Sequence, residues 1–231
     1  MSSRVLLVVH DDLDTAKAIN GGLASRGYEV RATSDAEGAM SMLRGWGPAL
    51  LVIDTKLPLE GGIDLCRRVR EISNVSIIVV SASNDGRSEV AALDAGADDY
   101  IVKPFSIETL LARVRAACRR NSERPDAAAF GVGEFHIDFN DRRVRVHGQP
   151  VRLTPKEFDL FVFMARHPNR VLAHRTLLGA VWGESSADQC EYLRVFMGQL
   201  RKKLESNPAK PRYLVTEPWV GYRFNPTGLM Q

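Results

Sequence analysis

ALLVIDTKLPLEGG (49–62) sets an unbroken apolar run against a single aspartate, Asp54, followed at once by Leu57-Pro58 and the pair Gly61-Gly62. Apolar residues at 49–53 with no polar alternation read as a strand covered on both faces, as in a parallel sheet. Ligand chemistry in open α/β sheets gathers beyond the carboxyl ends of such strands, so Asp54 is expected to project into a crevice.

Three further segments have the same form. RVLLVVHDD (4–12) ends in acids, SIIVVSAS (76–83) in a hydroxyl and DDYIVKPF (98–105) in Lys-Pro. Parallel strands deliver their carboxyl ends to one edge, so Asp11, Asp54, Ser81 and Lys103 are expected to meet there. A serine after an apolar strand also satisfies a turn, and Lys-Pro also ends a strand with a solvated charge. The aim of the last strand toward Asp54 favours a functional lysine. Amphipathic stretches at 13–26, 35–44, 62–72 and 88–95, with a final helix at 106–120, separate the strands. Five alternations of strand and helix predict an α/β fold: a doubly wound, flavodoxin-like, five-stranded parallel sheet.

The length of 231 residues exceeds the common single-domain size. NSERPDAAA (121–129) is polar, proline-bearing and poor in large apolar residues, which places a linker at 122–129 between domains 1–121 and 130–231. Residues 1–124 carry net charge −1 and 125–231 carry +4, a small basic excess that suits a polyanionic partner. Cys66, Cys118 and Cys190 lack metal-ligand spacing and read as reduced thiols. With no run of 18 apolar residues and an amino terminus that passes straight into a strand, a cytoplasmic protein with no membrane partner is expected.

The second half changes pattern. Alternating runs at 134–139, 143–147 and 150–153 predict a small antiparallel sheet. Thr154-Pro155-Lys156-Glu157 combines an N-cap, a proline at the first helical position and a capping-box glutamate, opening a helix to about Arg166. A second helix is expected over Arg175 to Trp182 and a third over Ala187 to Glu205. In the third, Leu193, Met197, Leu200 and Leu204 form one core stripe, which leaves Arg194, Val195, Gly198, Gln199, Arg201 and Lys202 off it. Mid-helix glycine costs up to ~1 kcal/mol against alanine, so Gly198 suggests a close approach to the backbone, although a charge run in isolation is usually just a solvated face. PRYLVTEPWVGYRF (211–224) reads as two short strands joined by a turn.

The motif Asp54-x-x-Leu57-Pro58-x-x-Gly61-Gly62, the pair Ser81-Ala82 and the run Gly96-Ala97-Asp98-Asp99-Tyr100-x-x-Lys103-Pro104-Phe105 resemble the receiver domain of two-component response regulators. LTPKEFDLF (153–161), VWG (181–183), YLRVFMGQLRKKLE (192–205) and GYRF (221–224) resemble the winged helix-turn-helix domain of the OmpR/PhoB class, most of all its Kdp potassium-uptake branch. The resemblance implies a transcriptional regulator, not an enzyme, whose Asp54 takes a phosphoryl group from a histidine kinase. It implies Mg²⁺ on Asp11, Asp54 and the Lys56 main-chain carbonyl, phosphoryl contacts from Ser81 and Lys103, and a switch role for Tyr100. It further implies promoter DNA as partner, with the third helix in the major groove presenting Arg194, Val195, Gly198, Gln199, Arg201 and Lys202. Trp182 would reach a phosphate, and Tyr222 and Arg223 would belong to a hairpin near the adjacent groove. RNA polymerase is an implied partner, as is a homodimer through Asp98, Asp99, Arg113 and Arg119.

The chain departs from the family pattern at three places. His10 stands where the first of two adjacent acids is usual, with Asp11 in the direct-ligand place and Asp12 after it, so weaker metal binding is expected. Glu89 and Thr109 replace a usual ion pair of the receiver dimer. Glu217-Pro218-Trp219-Val220 lacks the usual Arg-Gly of the wing. Two alternatives stay open: a DNA-binding regulator that His10 frees from phosphorylation, and an aspartyl-phosphate hydrolase, which would need a general acid where Lys56 stands.

Overall fold

The computed structural model describes residues 5–119, 129–183 and 189–229. The chain forms two compact units, Met1–Arg120 and Asn121–Gln231. In the first, β1 (Val5–Val9), α1 (Leu13–Ala24), β2 (Glu29–Thr33), α2 (Ala36–Trp46), β3 (Leu50–Asp54), α3 (Gly62–Ile72), β4 (Ser76–Ser81), α4 (Gly86–Asp94), β5 (Asp99–Val102) and α5 (Ile107–Arg119) alternate as expected. Their strands form one parallel sheet in the order β2-β1-β3-β4-β5.

Continuous apolar sequence becomes central strand because both faces are covered. Leu6, Val8, Leu50, Val52, Ile78 and Val80 meet Ile19 and Leu23 of α1 and Leu110, Leu111 and Val114 of α5 in one buried cluster. Glu29 and Arg31 interrupt the apolar pattern of β2, which lies at the sheet edge. Gly62 opens α3 directly against the end of β3; a Cβ there would lie 1.9 Å from the Asp54 carbonyl oxygen. The helix start that follows the reactive strand therefore requires glycine.

Asp98 is 1% exposed and serves the interior of this unit. Its Oδ2 accepts 2.7 Å from Arg70 Nη2 and 2.9 Å from the Ile77 amide. Asp99 is also buried, and its Oδ2 lies 3.4 Å from Arg113 Nη1. The surface role expected of Asp98 is thereby corrected, since its carboxylate fixes α3 and β4. Asp99 and Arg113 form a pair within the chain, and the Arg119 side chain lies outside the described residues.

In the second unit, β6 (Ala129–Val132), β7 (Phe135–Asp138), β8 (Arg143–Val146) and β9 (Gln149–Val151) form an antiparallel sheet. Residues 122–128 of the expected linker lie outside the described residues, and Ala129 begins β6. Then come α6 (Pro155–Ala165), β10 (Val171–Ala173), α7 (His174–Trp182), α8 (Cys190–Leu204), β11 (Leu214–Glu217) and β12 (Gly221–Phe224), with a second sheet ordered β10-β12-β11. Residues 187 and 188 of the expected third helix lie outside the described residues.

The capping box of α6 is present: Thr154 accepts from the Glu157 amide and Glu157 accepts from the Thr154 amide. Glu157 also takes Lys203 Nζ of α8 at 2.5 Å, so one buried carboxylate caps one helix and ties another to it. Phe135, Phe161 and Phe224 form an aromatic core with centroids 5.1 to 5.4 Å apart, and Tyr213 lies edge-on to Phe135. Among the described residues no helix is long and apolar enough to cross a membrane.

Candidate functional site

β3 ends at Asp54, whose side chain is only 2% exposed. Oδ1 accepts 2.9 Å from the Lys56 amide, in the turn that Leu57-Pro58 continues. Oδ2 takes Lys103 Nζ and, at 2.8 Å, His10 Nε2. Lys103 precedes a cis peptide to Pro104. Three strand ends thus converge on one carboxylate oxygen.

The Asp12 amide lies 3.0 Å from His10 Nδ1 and donates to it. Nδ1 is then an acceptor, so the ring hydrogen sits on Nε2 and points at Asp54. Burial pushes the His10 pKa below its usual value; the Asp54 charge pulls it up, and Lys103 adds to the fall. The neutral Nε2–H tautomer meets the Asp12 amide and Asp54 while Lys103 Nζ, 2.8 Å from Nε2, bonds Asp54 beside it, whereas imidazolium would oppose the Asp12 amide and set a second positive charge next to Lys103.

Asp12 caps the amino end of α1. Its carboxylate accepts from the Asp14 amide at 3.0 Å and from Thr15 Oγ1 at 2.6 Å, and these bonds, the Thr15 hydroxyl first, lower its pKa. Asp11, its side chain 43% exposed, is the acid left facing the pocket. Ligand atoms of His10, Asp11 and Asp54 lie within 4.8 Å of one another, close enough to surround one cation. A protonated Nε2 and an Nδ1 held by an amide offer that cation no lone pair, so the carboxylates supply the ligands. Ser81, at the end of β4, accepts from Thr55 Oγ1 at 3.0 Å and from the Ser83 amide at 3.1 Å. Tyr100 is buried and its hydroxyl donates 2.8 Å to the Ser83 carbonyl, tying β5 to the same loop.

The second candidate surface is α8 with the β11–β12 hairpin. Arg194 and Lys202 are exposed, with Arg194 paired to Glu191, while Val195, Gly198 and Gln199 are half-buried. Beyond its own helix backbone and chain neighbours, nothing among the described residues lies within 4 Å of a Cβ built at Gly198, so packing inside the protein does not demand glycine there. Tyr192 and Phe196 are buried beside Leu193, Met197 and Leu200, so the apolar face is wider than one stripe.

Four expected contact residues are engaged within the domain. Trp182 is 2% exposed, packed against Tyr192 and Phe196 with the Lys156 ammonium 4.8 Å from its ring centre, and cannot reach a phosphate from that place. Tyr222 is 6% exposed, edge-on to His174. Arg201 donates 3.0 and 2.6 Å to the Leu214 carbonyl and 2.7 Å to Thr216 Oγ1, joining α8 to β11. Arg223 is engaged by Glu217 at 2.7 Å. Helical spacing gave no sign of Glu205, which accepts the amides of Arg212, Tyr213 and Leu214 at 2.8 to 2.9 Å and holds the same strand from the end of α8.

Residues 6–115 match the response regulator receiver domain and 148–224 match the transcriptional regulatory protein, C terminal. The chain is 37% identical over 222 residues to the transcriptional regulatory protein KdpE of Mycobacterium tuberculosis, covering 95% of this chain and 98% of that one. It is likewise 37% identical over 221 residues to the DNA-binding response regulator MtrA of Mycolicibacterium smegmatis, 96% of each. Among solved structures, DrrB of Thermotoga maritima, an OmpR/PhoB homolog, aligns over 96% of this chain and 99% of its own with 28% identity and TM-score 0.52. A RitR mutant, at 23% identity and TM-score 0.78, shares the fold.

Proposed function

The chain belongs to the OmpR/PhoB-type response regulators, phosphorylation-regulated transcription factors that bind DNA, and from that premise we propose that Asp54 is its phosphoacceptor. The observation that carries this reading is the convergence of Lys103 and His10 on Asp54 Oδ2 at the carboxyl end of β3. Receivers generally bind Mg²⁺ at an acidic pocket; the carboxylates of Asp11 and Asp54 are close enough to share that ion, the Lys56 carbonyl would add a third oxygen, and His10 would lower the affinity. When bound, Mg²⁺ offsets charge on the transferring phosphoryl group. Asp54 supplies the attacking oxygen to a histidine kinase's phosphohistidine. Lys103 exchanges its carboxylate bond for a phosphoryl oxygen, and Ser81 donates to another. Tyr100, bonded to the same loop from β5, follows Ser81.

The output is promoter binding in the cytoplasm by α8, with Arg194 and Lys202 as exposed cations, Gln199 toward base edges and Gly198 leaving room for close approach. Arg201 acts from behind, as the clamp to β11. Contact with RNA polymerase completes the output. A homodimer of receivers would draw on Asp99 and Arg113 by trading their internal pair for the same pair across a two-fold axis.

Incubation with a small phosphodonor and Mg²⁺, read by intact mass, tests the assignment. One phosphoryl added to the native chain and none to Asp54→Asn is expected; an adduct that persists in Asp54→Asn assigns the acceptor elsewhere.

A further inference from the structure

The hairpin tip carries an unusual residue in an unusual conformation. Glu217 to Val220 form a turn closed by the Val220 amide on the Glu217 carbonyl at 3.1 Å, with Pro218 second and Trp219 third. Trp219 has φ +67°, in the left-handed region that the third position of a type II turn takes and that glycine fills without strain. Its side chain is 99% exposed and that of Val220 is 51% exposed, while Trp182 of the same domain is buried. An indole is thus displayed to solvent at a position where both backbone conformation and burial disfavour it.

The tip is not a phosphate clamp. Residues 217–220 include no cation, and Glu217 is engaged by Arg223 with Nε at 2.8 Å. Nor is the tip loose: the His174 amide donates 3.1 Å to the Val220 carbonyl, and β10 pairs along β12. Gly221 permits that pairing, since a Cβ there would lie 1.9 Å from the Leu172 carbonyl oxygen. Through Arg201 and Glu205 the hairpin is joined to α8, whose exposed side bears Arg194 and Lys202.

Resting on the DNA-binding reading, we propose that Trp219 is an apolar wedge, pressed by the hairpin into the minor groove of duplex DNA so that its indole partly unstacks one base step. An apolar tip attached to a cationic helix matches a polyanion whose apolar surface is its base stack. Two side chains are too small a patch to hold a protein partner alone. Arg and Lys contacts on α8 set the register, and the wedge adds a preference for a step that opens easily, such as TA or CA.

The test uses the full chain and a duplex it selects from a random-sequence pool, with 2-aminopurine placed at each step in turn. Native protein should brighten the probe at one flanking step. Trp219→Gly, which suits the positive φ and so keeps the turn, should bind ~10-fold more weakly, lose the brightening and keep its salt slope because no phosphate contact is removed. Trp219→Phe should keep most of both signals. Equal affinity and equal brightening in Trp219→Gly overturn the wedge, as does a native chain that binds its duplex but brightens no step. A Trp219→Gly defect that appears only once RNA polymerase is added also overturns it and makes the tip a protein contact. A native chain that selects no duplex at all defeats the DNA-binding reading itself, and the wedge with it.

Discussion

His10 Nε2 lies 2.8 Å from Asp54 Oδ2, so a neutral ring occupies the place from which an acid would repel the buried aspartate and attract a cation. His10→Asp should reverse both effects. The concentration of Mg²⁺ that half-saturates phosphorylation should fall about tenfold, and without metal the variant should melt below the native chain because two carboxylates then face each other. Added Mg²⁺ should raise its melting temperature more than that of the native protein. Identical Mg²⁺ titrations for both chains would make the histidine neutral in effect.

Asp98 satisfies the partly buried Arg70 guanidinium and the Ile77 amide. Removing one partner of such a pair leaves an uncompensated charge, so Asp98→Ala should destabilise the receiver by about 3 kcal/mol in urea unfolding. A variant with native stability that differs only in sedimentation would return Asp98 to a subunit interface.

On α8, basic residues of similar sequence appearance divide by place. Lys202→Ala and Arg194→Ala should each weaken DNA binding on all sequences and flatten the salt slope by about one unit. Arg201→Ala leaves the Leu214 carbonyl without its donor and should lower effector-domain stability by ~1 to 3 kcal/mol. Salt-dependent binding curves beside thermal melts separate the two classes, and a normal melt for Arg201→Ala would refute its role as a clamp.

Burial pushes the Cys66 thiol up to about 12. In the unfolded chain a cysteine ionises near ~8.5, so this site favours the fold fully below that pH, and the advantage is lost as pH rises from there toward 12. Alkylation of the native chain at pH 8 should modify Cys190, which is partly exposed, well before Cys66 or Cys118, which are buried. Mass mapping that finds Cys66 labelled first would contradict the packing of α3.

The alternation of the receiver was legible because β1, β3 and β4 are covered on both faces and so are apolar throughout, and Asp54 stood out as the break in one of them. β2 was not singled out as a segment because an edge strand carries charge, here Glu29 and Arg31. β6 and β10 escaped notice because they are short: β6 is four residues interrupted by Gly131, and β10 is three residues defined by β12, a partner distant in sequence. Sequence placed Lys103 near Asp54 but not the imidazole on the same oxygen, since the tautomer of His10 depends on where the Asp12 amide points. Expectation and structure part at Asp98, which turns inward to Arg70 and Ile77, and at Trp182, Tyr222 and Arg201, amphipathic side chains that serve a surface or a core equally well until packing decides.

Arg201 and Glu205 fasten α8 to the strand that leads into the hairpin, one from its side and the other from its carboxyl end. Helix and hairpin are thereby held at a fixed span, and if α8 and the tip both meet DNA as proposed, the effector domain would measure its binding site as a ruler does. Inserting one base pair between the segment under α8 and the segment under the tip displaces the second by ~3.4 Å along the axis and rotates it by about a tenth of a turn. Among the described residues no joint between them follows that movement, so spacing would become as much a part of the recognised sequence as the bases themselves.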